Sequence, residues 1–189
     1  MKQALILHGT DATPASNWFT WLKKQLEQDD YTVWLPQLPN SDKPNTKTYS
    51  QFLLVNQDFE FNDETIIIGH SSGAVEVLSL LQKLPDDTKI KAVFLVSAFK
   101  DDLGWDALGG LFDEPFDFAS IKTKANKFTF LHSDNDPYCP IEHAQYLSDQ
   151  VGGELITKPG QGHFNTELGE QYKAFPELLE IIREKATGR

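Results

Sequence analysis

The run Thr65-Ile-Ile-Ile-Gly69-His70-Ser71-Ser72-Gly73-Ala-Val-Glu-Val-Leu78 restricts the fold more than any other stretch of the chain. It opens on β-branched apolar residues, passes through G-H-S-S-G and continues with apolar residues at helical spacing. That is a strand, a sharp turn and a helix, with a serine at the apex. Gly69 and Gly73 remove side chains where the two backbones would crowd the turn. Ser71 is then lifted out at the end of a strand, and the amide of Ser72 sits at a helix N-terminus, placed to donate to an oxyanion.

The flanking chain repeats the strand-then-helix theme. Ala4–Leu7 is a buried strand ending at His8-Gly9-Thr10, and Trp18, Trp21, Leu22 and Leu26 recur at helical spacing behind Asn17 or Ser16 as N-cap. Tyr31–Leu35 is a second strand stopped by Pro36, and Pro36 to Pro44 is a surface loop. Tyr49–Phe59 reads as a helix, Thr65–Ile68 as the third strand, Ala74–Leu84 as its helix and Ile90–Val96 as the fourth strand. Phe128–Leu131 is the fifth strand, Ile141–Val151 a helix closed by Gly152-Gly153, and Leu155-Ile156 a short sixth strand. A last helix opens at Pro176. Such alternation predicts an α/β fold over residues 1–189 as one domain, with about six mostly parallel strands and helices on both faces.

Ligands of such sheets bind outside the carboxyl ends of the strands. Four polar turns follow strands here: His8-Gly9-Thr10, His70-Ser71, Ser133 to Pro137, and Gly160 to His163. They are therefore expected at one edge. A serine nucleophile needs a base and an acid that orients the base. Of five histidines, only His163 follows Ser71 and the fifth-strand loop while also lying in a glycine turn after a strand. His143 lies within a helix, His132 ends a strand, and His8 and His70 read as supports of loop geometry.

Asp134 and Asp136 compete for the acid. Asp136, at the far end of the turn, is favoured, and Asp134 is assigned to bracing the turn. Ser, then Asp, then His is the order found in α/β-hydrolases. Thr10 is the second expected oxyanion donor beside Ser72. Trp18, Phe99, Trp105, Phe112 and Phe116 are the candidate walls of an acyl pocket. Cys139 has no histidine constellation of its own and reads as a small half-buried residue.

Composition trims the alternatives. Lys and Arg number 17 against 28 Asp and Glu, a formal charge of −11 that argues against nucleic acid or an anionic membrane as partner. One cysteine excludes an internal disulfide. No run has the length of a membrane span or a signal peptide core, so a cytoplasmic location is expected.

These pieces in this order, L-H-G-T, N-W-F-T-W-L, I-I-G-H-S-S-G, S-D-N-D-P-Y-C-P and G-H-F-N, resemble the small serine hydrolases of the retinoblastoma-binding protein 9 and YdeN-like family. The resemblance spans nearly the whole chain. It implies a compact α/β-hydrolase fold with no large cap domain and a triad of Ser71, Asp136 and His163. No metal and no cofactor are expected. The substrate would be a small acyl ester, with an amidase or aminopeptidase using the same residues, or a non-catalytic binding module of the same fold, as alternatives. Cys139 stands in P-Y-C-P-I, so the L-x-C-x-E retinoblastoma-binding motif of one such protein is absent.

Overall fold

The computed structural model describes residues 1–187. Six strands, β1 (Gln3–Leu7), β2 (Thr32–Trp34), β3 (Thr65–His70), β4 (Ala92–Val96), β5 (Phe128–Ser133) and β6 (Glu154–Lys158), form one sheet in the order β2-β1-β3-β4-β5-β6. Every neighbouring pair is parallel. This is the topology that the strand–helix alternation predicts, with no antiparallel edge strand among the described residues.

Alternation of side chains along the strands divides the core in two. Leu5, Leu7, Ile67, Val93, Leu95 and Phe130 pack with α2 (Thr46–Leu54), α3 (Ser72–Lys83) and α5 (Ile141–Val151). Ala4, Ile6, Ile66, Ile68, Phe94 and Val96 face the other way, onto α1 (Phe19–Gln28) and α6 (Pro176–Thr187). Both faces of the sheet are thus covered, as parallel strands with apolar residues on both sides require. Among the described residues no helix is long and apolar enough to cross a membrane.

Several boundaries depart from the sequence expectation. α1 begins at Phe19, and neither Asn17 nor Ser16 caps it; Trp18 holds the N-cap position, and its side chain makes no bond to the first turn. Asn17 adopts a left-handed backbone (φ 49°), and its Oδ1 instead accepts from both the amide and the hydroxyl of Thr166. The second helix starts earlier than expected because Asn45 caps it, accepting the Thr48 amide at 3.0 Å, and it ends at Leu54. Phe59 lies beyond that helix but is still buried. The segment after β4 carries a 3-10 turn at Asp106–Leu111 and a short α4 (Phe118–Ile121).

Strand register sets the working edge. Leu7 pairs with Gly69, His70 with Val96, and Ser133 with Lys158, so the carboxyl ends of five strands lie together. All four polar turns leave from this edge.

Candidate active site

The turn between β3 and α3 is as tight as its glycines suggest. A β-carbon on Gly69 would lie 2.6 Å from Cα of Ala74, and one on Gly73 would lie 2.5 Å from the carbonyl oxygens of both Leu7 and His8. Only bare backbone lets the start of α3 seat against the end of β1. Ser71 at the apex has φ 55° and ψ −124°, a conformation costing an L-residue about 1–3 kcal/mol. Its amide is tied to the Val96 carbonyl at 2.9 Å, which helps hold the strained residue in place.

Ser71 and His163 bound the same cleft, about 280 Å³ in volume. Thr10 and Asp11 form one wall, Phe99, Leu103, Trp105 and Leu108 another, and Tyr138, Cys139, Asn165 and Glu167 complete it. No hydrogen bond joins the Ser71 hydroxyl to His163 among the described residues. A larger recess of about 600 Å³, lined by Lys2, Asp29, Tyr31 and Ile182, lies at the amino ends of the strands, away from these side chains.

His163 Nδ1 donates to Asp136 Oδ2 at 2.7 Å. The carboxylate acceptor puts the proton on Nδ1 and leaves Nε2 as the basic atom. Asp136 is completely satisfied: Oδ2 also takes the Ser97 hydroxyl at 2.8 Å, and Oδ1 takes the amides of Tyr138 and Cys139 at 2.9 and 3.0 Å. Burial alone would raise this carboxyl. The hydrogen bond and charge of His163, with the two amides, outweigh it and hold Asp136 below the ordinary carboxylate value. Asp134 does not approach the imidazole; its Oδ1 accepts the Gly160 amide at 2.8 Å.

The loop carrying His163 is fastened at several points. Ser133 Oγ accepts the Gln161 amide and Asn135 Oδ1 the Gly162 amide, each at 2.8 Å. From below, His70 Nε2 donates to the His163 carbonyl at 2.8 Å and Trp18 Nε1 to the Phe164 carbonyl at 2.9 Å. Burial, then the neighbouring charge of His163, lowers His70 to about 3, so it stays neutral. His8 and His132 are also lowered chiefly by burial. His8 binds the Gly9 carbonyl through Nδ1 and the Leu38 amide through Nε2, and His132 binds the Cys139 carbonyl. His143 accepts weakly from the Lys100 amide at 3.3 Å and does not border the cleft.

The two expected oxyanion donors are adjacent. The Thr10 hydroxyl donates to Ser72 Oγ at 3.0 Å, linking the loop after β1 to the start of α3. Neither backbone amide donates to an acceptor within the described residues.

The aromatic expectations divide. Phe99 and Trp105 line the cleft. Trp18 does not: it is fully buried against Phe19, His70 and Phe175, so its large side chain belongs to the core beneath the site. Phe112 packs on Phe99 and Phe116 on Phe112, one layer behind the wall, and neither borders the cleft.

Asp136, Cys139 and His163 offer three potential metal-ligand atoms within 4.8 Å of one another. The carboxylate and Nδ1 already bond each other, and burial pushes the Cys139 thiol up, against the thiolate a metal would need. Ser97, Ser133 and Asn135 were not singled out by sequence reasoning; each lies next to a strand end, and only the fold reveals its partner.

An all-parallel sheet with a strained serine between strand and helix, and a carboxylate–imidazole pair at the same edge, defines the α/β-hydrolase class. The sequence model of the serine hydrolase family matches residues 4–184. The rat serine hydrolase RBBP9 is 30% identical over 174 residues, covering 90% of this chain and 87% of that protein. YdeN of Bacillus subtilis is 26% identical over 182 residues, covering 96% and 94%. The crystal structure of the B. subtilis ydeN gene product superposes with a TM-score of 0.91 at 25% identity, covering 99% of this chain and all of that one. The chain belongs to the serine hydrolase family and is similar throughout to these RBBP9 and YdeN proteins.

Proposed function

We propose that the chain cleaves a small acyl ester through an acyl-enzyme, with Ser71 as nucleophile, His163 as base and Asp136 as the group that orients it. The observation that carries this reading is the 2.7 Å bond between Asp136 and His163 Nδ1, beside a cleft that Ser71 shares. His163 Nε2 takes the Ser71 proton as Oγ attacks the carbonyl carbon. The amides of Thr10 and Ser72 receive the oxyanion. Collapse breaks the bond to the leaving group, which takes the proton from Nε2. Water then repeats the sequence, returning the acid and free Ser71. The Ser71–His163 hydrogen bond this requires is of the kind that tightens when substrate binds.

The fit of the cleft favours a small acyl group against Phe99, Leu103 and Trp105. A small-molecule substrate in the cytoplasm is the corresponding role. Labelling by a fluorophosphonate probe tests the core of the reading. Wild type should label and Ser71→Ala should not; equal labelling of the two would remove Ser71 from the chemistry. p-Nitrophenyl esters graded by acyl length, run beside aminoacyl amides, test ester preference.

A further inference from the structure

A second recess of about 370 Å³ opens from the rim of the Ser71 cleft. Thr10, Asp11, Asn165 and Glu167 bound both spaces, which are therefore two lobes of one trough. Their chemistry differs. The Ser71 lobe is walled by aromatic and aliphatic side chains, whereas Ser16, Asn17, Thr166 and Lys173 close the second, which has no aromatic wall.

Charge and hydrogen bonding in the second lobe are unbalanced. Lys173 is engaged by Glu170. Asp11 and Glu167 have no cationic partner among the described residues. Asn165, at the junction, is only 9% exposed. Its Oδ1 accepts the Leu168 amide at 3.1 Å, while its Nδ2 donates to no acceptor in the described chain. That donor is not sealed in the core: it opens onto the trough, where an acceptor on a bound molecule can reach it.

We propose that this second lobe is the leaving-group subsite, taking an alcohol or amine that carries an ammonium group, while the aromatic lobe takes the acyl part. The assignment rests on the serine hydrolase mechanism proposed above. When the tetrahedral adduct collapses, the C–O or C–N bond breaks, its electron pair stays on the departing atom, and the proton held on His163 Nε2 moves to that atom. The leaving group must therefore sit on the His163 side of Ser71. Of the residues running on from His163, Asn165 and Glu167 stand at the junction of the lobes and Thr166 lines the second. Asn165 Nδ2 offers a donor to a polar atom at the junction of the lobes, and Asp11 and Glu167, the latter beside the Tyr138 hydroxyl, put negative charge at that junction, at the mouth of the second lobe.

Three phenylacetyl esters test this: those of choline, of 3,3-dimethylbutanol as the neutral isostere, and of glycolate as the anion. At low salt kcat/KM should be roughly tenfold higher for the choline ester than for the isostere, and lowest for the glycolate ester. The choline preference should shrink as salt is added and fall to near one in Asp11→Asn/Glu167→Gln, the isostere serving as the reference within each variant. A choline ester no faster than its isostere, or a preference that survives in the double variant, overturns the subsite while leaving the hydrolase reading intact. Absence of Ser71-dependent cleavage of every ester, with no fluorophosphonate labelling, overturns the mechanism and the subsite with it.

Discussion

His70 donates through Nε2 to the backbone carbonyl of His163 at 2.8 Å, so the residue preceding Ser71 holds up the loop that aims the imidazole. The proposed nucleophile and base are thus positioned through one buried ring, whose centroid lies 4.9 Å from that of His163 with the planes tilted by 55°. Its neutrality is part of the arrangement, because a second positive charge here would oppose the imidazolium that forms during catalysis.

Replacing His70 by Phe removes the donor while keeping a ring of similar reach. The His163 carbonyl is then left in the core without that partner, and the loop shifts. We expect kcat to fall about ten- to a hundredfold, as for displacements near 1 Å, with KM much less affected. Steady-state kinetics on a p-nitrophenyl ester measure this; a change confined to KM would show that His70 does not position the base.

The acid assignment has a sharper contrast. Asp136→Asn leaves an amide that cannot serve as the same charged acceptor for Nδ1–H, and kcat should drop on the order of a thousandfold or more. Asp134→Asn keeps an oxygen for the Gly160 amide and should change kcat by less than about threefold, within the range expected for a retained surface hydrogen bond. Ser97→Ala removes one of four bonds to Asp136 and should lie between them, near tenfold. If Asp134→Asn is the more damaging of the two aspartate variants, the roles reverse.

The elbow, the order of the strands along the chain and the meeting of the loops that carry Asp136 and His163 were legible because their signals are local: β-branched runs, two glycines around a serine, and turns directly after strands. Supports that act across the fold were not. Ser97 meets Asp136 across 39 residues, and Trp18 meets Phe164 across 146, with nothing in either neighbourhood to announce the partner. Trp18 looked like a pocket wall because an aromatic near a helix start can face a cleft or the core, and only packing decides. Asn17 looked like a helix cap for its residue type, but a left-handed backbone turns it toward Thr166.

Buried titratable groups set a pH dependence of stability. His8, His70 and His132 all have folded values below the ordinary 6.5. In the unfolded chain they take up protons as pH falls through 6.5, and the folded protein does not, so their contribution is full above 6.5 and lost progressively below it. Glu76 works the other way. It is wholly buried on α3 with only the Ser50 hydroxyl on Oε1, and burial raises its carboxyl well above 4.5. Its favourable contribution is full below 4.5 and is lost as pH rises through the raised value.

Each group contributes a slope of at most about 1.4 kcal/mol per pH unit, so three histidines outweigh one glutamate between pH 6.5 and 4.5. Tm should fall through that window as acid is added. In Glu76→Gln the opposing slope is gone: the acid decline should steepen, and Tm near pH 8 should rise above wild type. Scanning calorimetry across pH reads both effects. A variant less stable than wild type at pH 8 would mean that Glu76 is held charged by something other than Ser50.

Cys139 borders the cleft, its sulfur close to both Asp136 and His163, and an active thiol there would compete with Ser71 for the role of nucleophile. Its surroundings argue otherwise. Burial first, and the negative charge of Asp136 second, push the thiol well above its ordinary value, so the reactive thiolate is scarce at neutral pH. Treatment with iodoacetamide at pH 7.5 should therefore leave esterase activity nearly intact over a period in which a fluorophosphonate abolishes it. Cys139→Ala should keep most of kcat and lose about 1 kcal/mol of stability from the vacated volume. Rapid inactivation by iodoacetamide in wild type but not in Cys139→Ala, with a collapse of kcat in the variant, would place the sulfur in the chemistry; retained activity leaves it as packing behind Asp136, whose carboxylate its own backbone amide helps hold.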